Sequence, residues 1–139
     1  MNFEWSLRVY YEDTDSGGVV YYANYLKFME RARTEFLRRL GFEQDRLIEQ
    51  KNIIFAVRSV QLDYNLPARF NDELMVETTL IELKKASMLF EQKIHRKHQP
   101  NQVLCQGRIR IACLQADTFK PRAIPEALSR TLMETTGVD

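Results

Sequence analysis

The residues best suited to chemistry lie close together in the segment Tyr11–Tyr25, YEDTDSGGVVYYANY. Asp15 supplies a carboxylate directly after an alternating, strand-like stretch. Gly17 and Gly18 follow, and the two glycines permit a tight turn and a close approach of backbone. A helix-patterned stretch then begins near Tyr22. The first turn of a helix carries N–H groups without intrahelical partners, at the positive end of its dipole. A carboxylate beside free backbone N–H groups is the equipment of acyl transfer to water. The amides polarise a carbonyl and hold its developing oxyanion. The carboxylate serves as general base to water or as nucleophile. The same residues also have plain structural uses, since Asp before a helix is a common N-cap and Gly-Gly a common turn. Spacing alone does not separate these uses.

Other chemistries find little support. His95 and His98 are three residues apart, which on a strand sends them to opposite faces, and no third ligand is evident nearby; no metal site is expected. The chain has no GxSxG elbow, no phosphate-binding glycine loop and no dinucleotide fingerprint. Cys105 and Cys113 stand eight residues apart in one extended stretch. That spacing spans roughly 26 Å of strand, too far for a disulfide within it. Two buried thiols are expected.

Several elements must position the Asp15 segment. Residues 3–13 alternate as a first strand. From Tyr22 to Leu40 the period is helical, with Tyr25, Phe28, Met29, Ala32, Phe36 and Leu40 on one stripe and Gly41 at the C-terminal cap. A short helix is expected over 43–50. Residues 53–64 form a long strand whose alternation changes phase near Arg58–Ser59, the mark of a bulge. Strands at 73–83, 86–96 and 103–114 follow, separated by turns at 65–72, Lys84-Lys85 and 98–101. A short strand at 120–123 and a helix from Pro125 to Glu134 complete the pattern. Hairpin-length links imply antiparallel pairing. An antiparallel sheet with one apolar face needs a cover, and helix 22–40 is the large apolar helix available. The expected fold is α+β, a curved antiparallel sheet around one central helix, with residues 1–139 as a single domain.

With 139 residues and a net charge of +1, the chain has the size of one domain and lacks the basic excess of a dedicated nucleic-acid binder. Apolar runs such as Ile53–Val57 fall far short of the ~18 residues a membrane span needs, so no membrane insertion is expected. Glu4 and Arg8 interrupt the start and no apolar stretch follows, which reads as a chain that stays in the cytoplasm.

The run Arg8–Tyr25, RVYYEDTDSGGVVYYANY, followed by Glu30-Arg31-Ala32-Arg33, resembles the hotdog-fold acyl-CoA thioesterases, within the 4-hydroxybenzoyl-CoA thioesterase-like branch and nearest its Tol–Pal-associated bacterial members. Phe55-Ala56-Val57-Arg58 and Lys120-Pro121-Arg122-Ala123-Ile124-Pro125 extend the resemblance over nearly the whole chain. It implies a hotdog fold and homodimers, often paired into dimers of dimers, with active sites between subunits. It implies acyl-CoA, of short aliphatic or aromatic acyl groups, as substrate, and no cofactor beyond the CoA of that substrate. The family's catalytic aspartate falls on Asp15, its carbonyl-polarising backbone amide on Tyr22, and an accessory tyrosine on Tyr11. Many relatives carry His where this chain has Tyr22. A phenol is a weak base at neutral pH, but the backbone N–H survives the change, so rate or substrate choice is affected rather than the oxyanion role.

CoA carries phosphates, so basic residues should line the entrance. Arg58, Lys84, Lys85, Lys120 and Arg122 are the candidates, with Arg58 foremost because it interrupts an apolar strand. The helix face with Arg31, Arg33, Arg38 and Arg39 is a further basic patch that could instead be salt-bridged to Glu30 and Glu35. Tyr21, Tyr22, Tyr25 and Phe28 suit either an acyl pocket or helix core. Two other functions fit the same motif: hydrolysis of acyl groups borne on acyl carrier protein, and a non-catalytic hotdog that binds CoA esters or serves as a scaffold.

Overall fold

The computed structural model describes residues 2–139. Five strands, β1 (Phe3–Arg8), β2 (Ile53–Tyr64), β3 (Glu73–Leu83), β4 (Ser87–Arg96) and β5 (Val103–Gln115), form one sheet in the order β1-β3-β4-β5-β2. Every neighbouring pair is antiparallel. β1 and β2 are therefore the edges, and the chain between them must cross the sheet. It does so as α1 (Asn24–Arg39), followed by α2 (Gln44–Lys51). α3 (Glu126–Thr136) closes the chain and buries Leu128 and Leu132.

α1 buries Tyr25, Phe28, Met29, Ala32, Phe36 and Leu37, the recurrence of apolar positions that puts one helix face into a core. It packs against β1 and β3. Phe36 meets Phe3 and Phe90 with ring centroids 5.6 and 5.9 Å apart. The helix ends where the Phe42 N–H reaches back to the Leu37 carbonyl, a cap placed by Gly41. This is the hotdog arrangement, a curved antiparallel sheet around a central helix.

β2 has its bulge between Val57 and Ser59, where the alternation changes phase. Beyond it, Val60, Leu62 and Tyr64 lie opposite Ile109, Gly107 and Cys105 of β5. Gly107 is required there. A Cβ on it would stand 2.2 Å from the Gln61 carbonyl oxygen and 2.4 Å from Leu62 Cδ2.

Four expectations are corrected. The first strand stops at Arg8 instead of Asp13, because the Asp13 carboxylate accepts the Tyr10 N–H at 2.8 Å and folds Tyr11–Asp13 into a 3-10 turn. α1 begins at Asn24, two residues after Tyr22, since Tyr21–Ala23 form a turn ahead of it. Residues 120–123 form no strand and contribute a single bridge between Leu114 and Pro121. Arg33 is buried, with Gln92 as its partner, while Arg38 does pair with Glu35.

Candidate active site

Residues 14–20 form a short hairpin. Thr14 and Val20 are bridged, the Asp15 N–H donates to the Val19 carbonyl at 2.9 Å, and the Gly18 N–H donates to the Asp15 carbonyl at 3.1 Å. Gly18 has φ +78°, the left-handed position that a three-residue hairpin loop needs. Asp15 opens the turn. Its Oδ1 accepts the Gly17 N–H at 2.8 Å, and the side chain is exposed. One carboxylate oxygen thus holds the turn, while the other has no hydrogen-bond partner among the described residues.

The hairpin is tied to the start of α1. The Asp13 carbonyl accepts both the Tyr21 N–H and the Asn24 side-chain amide, each at 2.9 Å. The Asn24 N–H in turn donates to the Tyr21 carbonyl at 2.8 Å. In a trans peptide the C=O and the following N–H point in opposite directions. With the Tyr21 carbonyl engaged by the first turn of α1, the Tyr22 N–H points away from the helix. Among the described residues it has no hydrogen-bond partner. It is a free donor at the positive end of α1.

Aromatic side chains surround this peptide. The Tyr64 hydroxyl donates to the Tyr22 carbonyl at 3.1 Å. The Tyr64 ring meets those of Tyr22 and Tyr25 edge-on at 6.4 and 5.6 Å. Together with Val20, Leu66 and Pro67 they line a recess of about 260 Å³. Tyr22 is 62% exposed, whereas Tyr25 is buried, and its hydroxyl accepts the Ala68 N–H at 3.0 Å. Tyr25 therefore offers the recess its ring and not its hydroxyl. Tyr11 is exposed and stacks flat on Phe70, centroids 3.7 Å apart.

The basic candidates do not gather here. Arg58 sits on the β2 bulge, exposed, six residues before Tyr64, or roughly 20 Å along the strand. Lys120 and Arg122 flank the opposite end of β2. The Lys120 carbonyl accepts the N–H of Gln115, which is the pairing partner of Ile53. The Arg122 guanidinium donates to the Lys51 carbonyl at the end of α2. Lys84 pairs with Glu82 at 3.3 Å. One chain thus ties the hairpin that carries Asp15 and Gly18, through Asp13, to the start of α1 next to Tyr22 and Tyr25. It keeps Arg58, Lys120 and Arg122 at the bulge and far end of β2.

Tyr64 and Asn24 are the site residues that the sequence does not single out. Counting alternation past the bulge would have placed Tyr64 on the inner face with Phe55 and Val57. The remaining reactive side chains lie elsewhere. Cys105 and Cys113 are buried. His95 is buried, with Nε2 3.0 Å from Glu77 and Nδ1 2.8 Å from the Arg96 carbonyl. His98 lies beyond the end of β4. Among the described residues no three potential ligands cluster, and no helix is long and apolar enough to cross a membrane.

Comparison with known proteins gives a consistent result. The family model described as "Thioesterase-like superfamily" matches residues 9–132. The chain is 46% identical to the acyl-CoA thioesterase YbgC of Haemophilus influenzae over 124 residues, 89% of each chain. It is 40% identical to the acyl-CoA thioester hydrolase YbgC of Escherichia coli, over 91% of this chain and 92% of the relative. The crystal structure of a probable thioesterase from Bartonella henselae superposes with a TM-score of 0.84 at 34% identity, covering 90% of this chain and all of that one. By sequence and by fold, the chain belongs to the thioesterase-like superfamily of thioester hydrolases.

Proposed function

We propose that the protein hydrolyses acyl-CoA thioesters, with Asp15 as general base or nucleophile and the Tyr22 N–H as oxyanion donor. The observation that carries this assignment is the free Tyr22 N–H, aimed away from α1 and tied through Asp13 to the Asp15 hairpin. The thioester carbonyl binds with its oxygen on that N–H. As water or the carboxylate attacks, negative charge builds on the oxygen, where the donor and the helix dipole stabilise it. The C–S bond then breaks with the thiolate of CoA as leaving group. On the general-base route Asp15 takes the proton of the attacking water, and on the nucleophile route water hydrolyses the acyl-aspartyl anhydride and frees the carboxylate. The relatives named acyl-CoA thioesterases support acyl-CoA as the donor.

The site is completed by a second copy. β2 is a twelve-residue edge strand without proline, and it exposes Val57, Val60 and Tyr64. A long apolar edge of this kind is a template for pairing. Antiparallel pairing of β2 with its copy places the Ile53 end of one strand beside the Tyr64 end of the other. A partner's Arg58, Lys120 and Arg122 then approach Asp15 and Tyr22, where the CoA phosphates need cations.

A panel of aliphatic and aromatic acyl-CoAs with detection of released thiol tests the activity, and sedimentation equilibrium tests the pairing. Turnover of acyl-CoA by a dimer or a dimer of dimers is expected. A panel with no turnover by the assembled protein would overturn the assignment.

A further inference from the structure

Val57, Val60 and Tyr64 of β2 are only partly covered by α1, and two recesses lie along these two elements. Tyr22, Tyr25 and Tyr64 bound the first. The second, of about 190 Å³, lies further along the same two elements. Glu30, Arg33 and Thr34 of α1 line it on one side, and Phe55, Val57 and Phe90 line it on the sheet side. Leu26 and Val60, on the stretches of α1 and β2 between the two recesses, are both partly exposed.

Arg33 is the unusual member, since it is a charged side chain only 8% exposed on a helix whose other buried side chains, Asn24 apart, are apolar. Its Nη1 donates to Gln92 Oε1 at 3.0 Å. Gln92 is itself fixed, because its amide nitrogen donates to the Met29 carbonyl and to Thr78 Oγ1, each at 2.9 Å. Among the described residues no carboxylate stands within ion-pair distance of Arg33. No guanidinium nitrogen is sealed off without a partner, so the N–H groups not used by Gln92 keep solvent access on a side chain that lines the recess. Burial pushes Arg33 down to about 10, with the charge of Glu30 opposing the shift; the group remains a cation at neutral pH. Glu30 lines the same recess but makes no direct ion pair with Arg33. A buried cation without a contacting anion is costly, and a fixed planar guanidinium is the receptor best matched to a carboxylate.

We propose that Arg33 anchors the far end of the acyl chain and that the protein prefers ω-carboxyacyl thioesters of medium length. This rests on the thioesterase assignment above. The thioester lies at the Tyr22 N–H, the methylenes follow the apolar cleft, and the terminal carboxylate meets Arg33. Arg33 stands nine positions after Asn24, roughly 14 Å along the helix axis. The arginine side chain leans back toward the helix N-terminus and shortens that span.

The test compares kcat/KM for adipoyl-, suberoyl- and sebacoyl-CoA with hexanoyl-, octanoyl- and decanoyl-CoA, in the wild type and in Arg33→Gln and Arg33→Lys. The expected result is a preference of tenfold or more for the carboxylated substrate at one of these lengths, lost in Arg33→Gln and partly kept in Arg33→Lys. Turnover of octanoyl-CoA with no gain at any length for the carboxylated partner overturns this inference alone, as does a preference undiminished in Arg33→Gln. Should the variants not fold, or should no thioester be turned over (which would overturn the thioesterase assignment itself), calorimetry on the wild type with thioether analogues decides. Tighter binding of the ω-carboxyalkyl than of the alkyl thioether supports the anchor, and equal binding contradicts it.

Discussion

The Tyr64 hydroxyl donates a hydrogen bond to the carbonyl oxygen of Tyr22 at 3.1 Å, joining the last residue of edge strand β2 to the turn ahead of α1. The Tyr22 residue is thereby held from two sides, by Tyr64 on its own carbonyl and by the first turn of α1 on the preceding peptide. Removing the hydroxyl loosens the turn without opening a cavity. Tyr64→Phe is expected to lower kcat by about three- to tenfold, the effect of one neutral hydrogen bond. Its thermal midpoint should stay close to that of the wild type. Steady-state kinetics and a melting curve on the same preparation check both.

The oxyanion role belongs to backbone and not to a side chain, so two substitutions at one position should differ sharply. Tyr22→Phe keeps the N–H and is expected to retain activity within about tenfold. Tyr22→Pro removes it, at a place just ahead of a helix where proline is tolerated. Its kcat should fall about a hundredfold or more, the loss seen when one oxyanion donor is removed. Equal activities for the two variants would show that the Tyr22 N–H is not the donor.

Much of this architecture was legible in the chain itself, for identifiable reasons. The bulge in β2 shows as a change of phase at Arg58–Ser59, because a period of two leaves little ambiguity about which side chain faces inward. α1 shows as a stripe, and its cap as Gly41. What stayed hidden depends on partners distant in sequence. Arg33 looks like a surface charge until Gln92 of β4 is brought to it. The first strand and α1 each lose residues to hydrogen bonds centred on Asp13, which no periodicity reveals. Tyr64 becomes a site residue only when the end of β2 meets the start of α1.

Gly107 provides a test of the sheet that carries the cleft. Any Cβ there collides with the backbone of Gln61, which cannot move without disturbing the β2 edge. Gly107→Ala should destabilise by about 1–3 kcal/mol, the usual cost of forcing atoms into a packed site. Chemical denaturation measures it directly, and a stability equal to that of the wild type would mean that β2 is not held against β5 at Gln61.

The thiols should be inert. Burial pushes the Cys105 thiol up to about 12, with the Asp63 carboxylate adding to the rise, and burial raises Cys113 as well. Neither forms the reactive thiolate near neutral pH. An aromatic disulfide reagent should label no thiol in the folded protein and both after denaturation. Rapid labelling of the native chain would contradict the burial.

The most direct test of the catalytic assignment is kcat/KM of Asp15→Asn on the best acyl-CoA of the panel. Asparagine keeps an oxygen able to accept the Gly17 N–H, so the hairpin survives while the base and nucleophile are lost. A fall of about a hundredfold or more, with an unchanged melting temperature, is the expected result. Undiminished kcat/KM in that variant would contradict the assignment of Asp15.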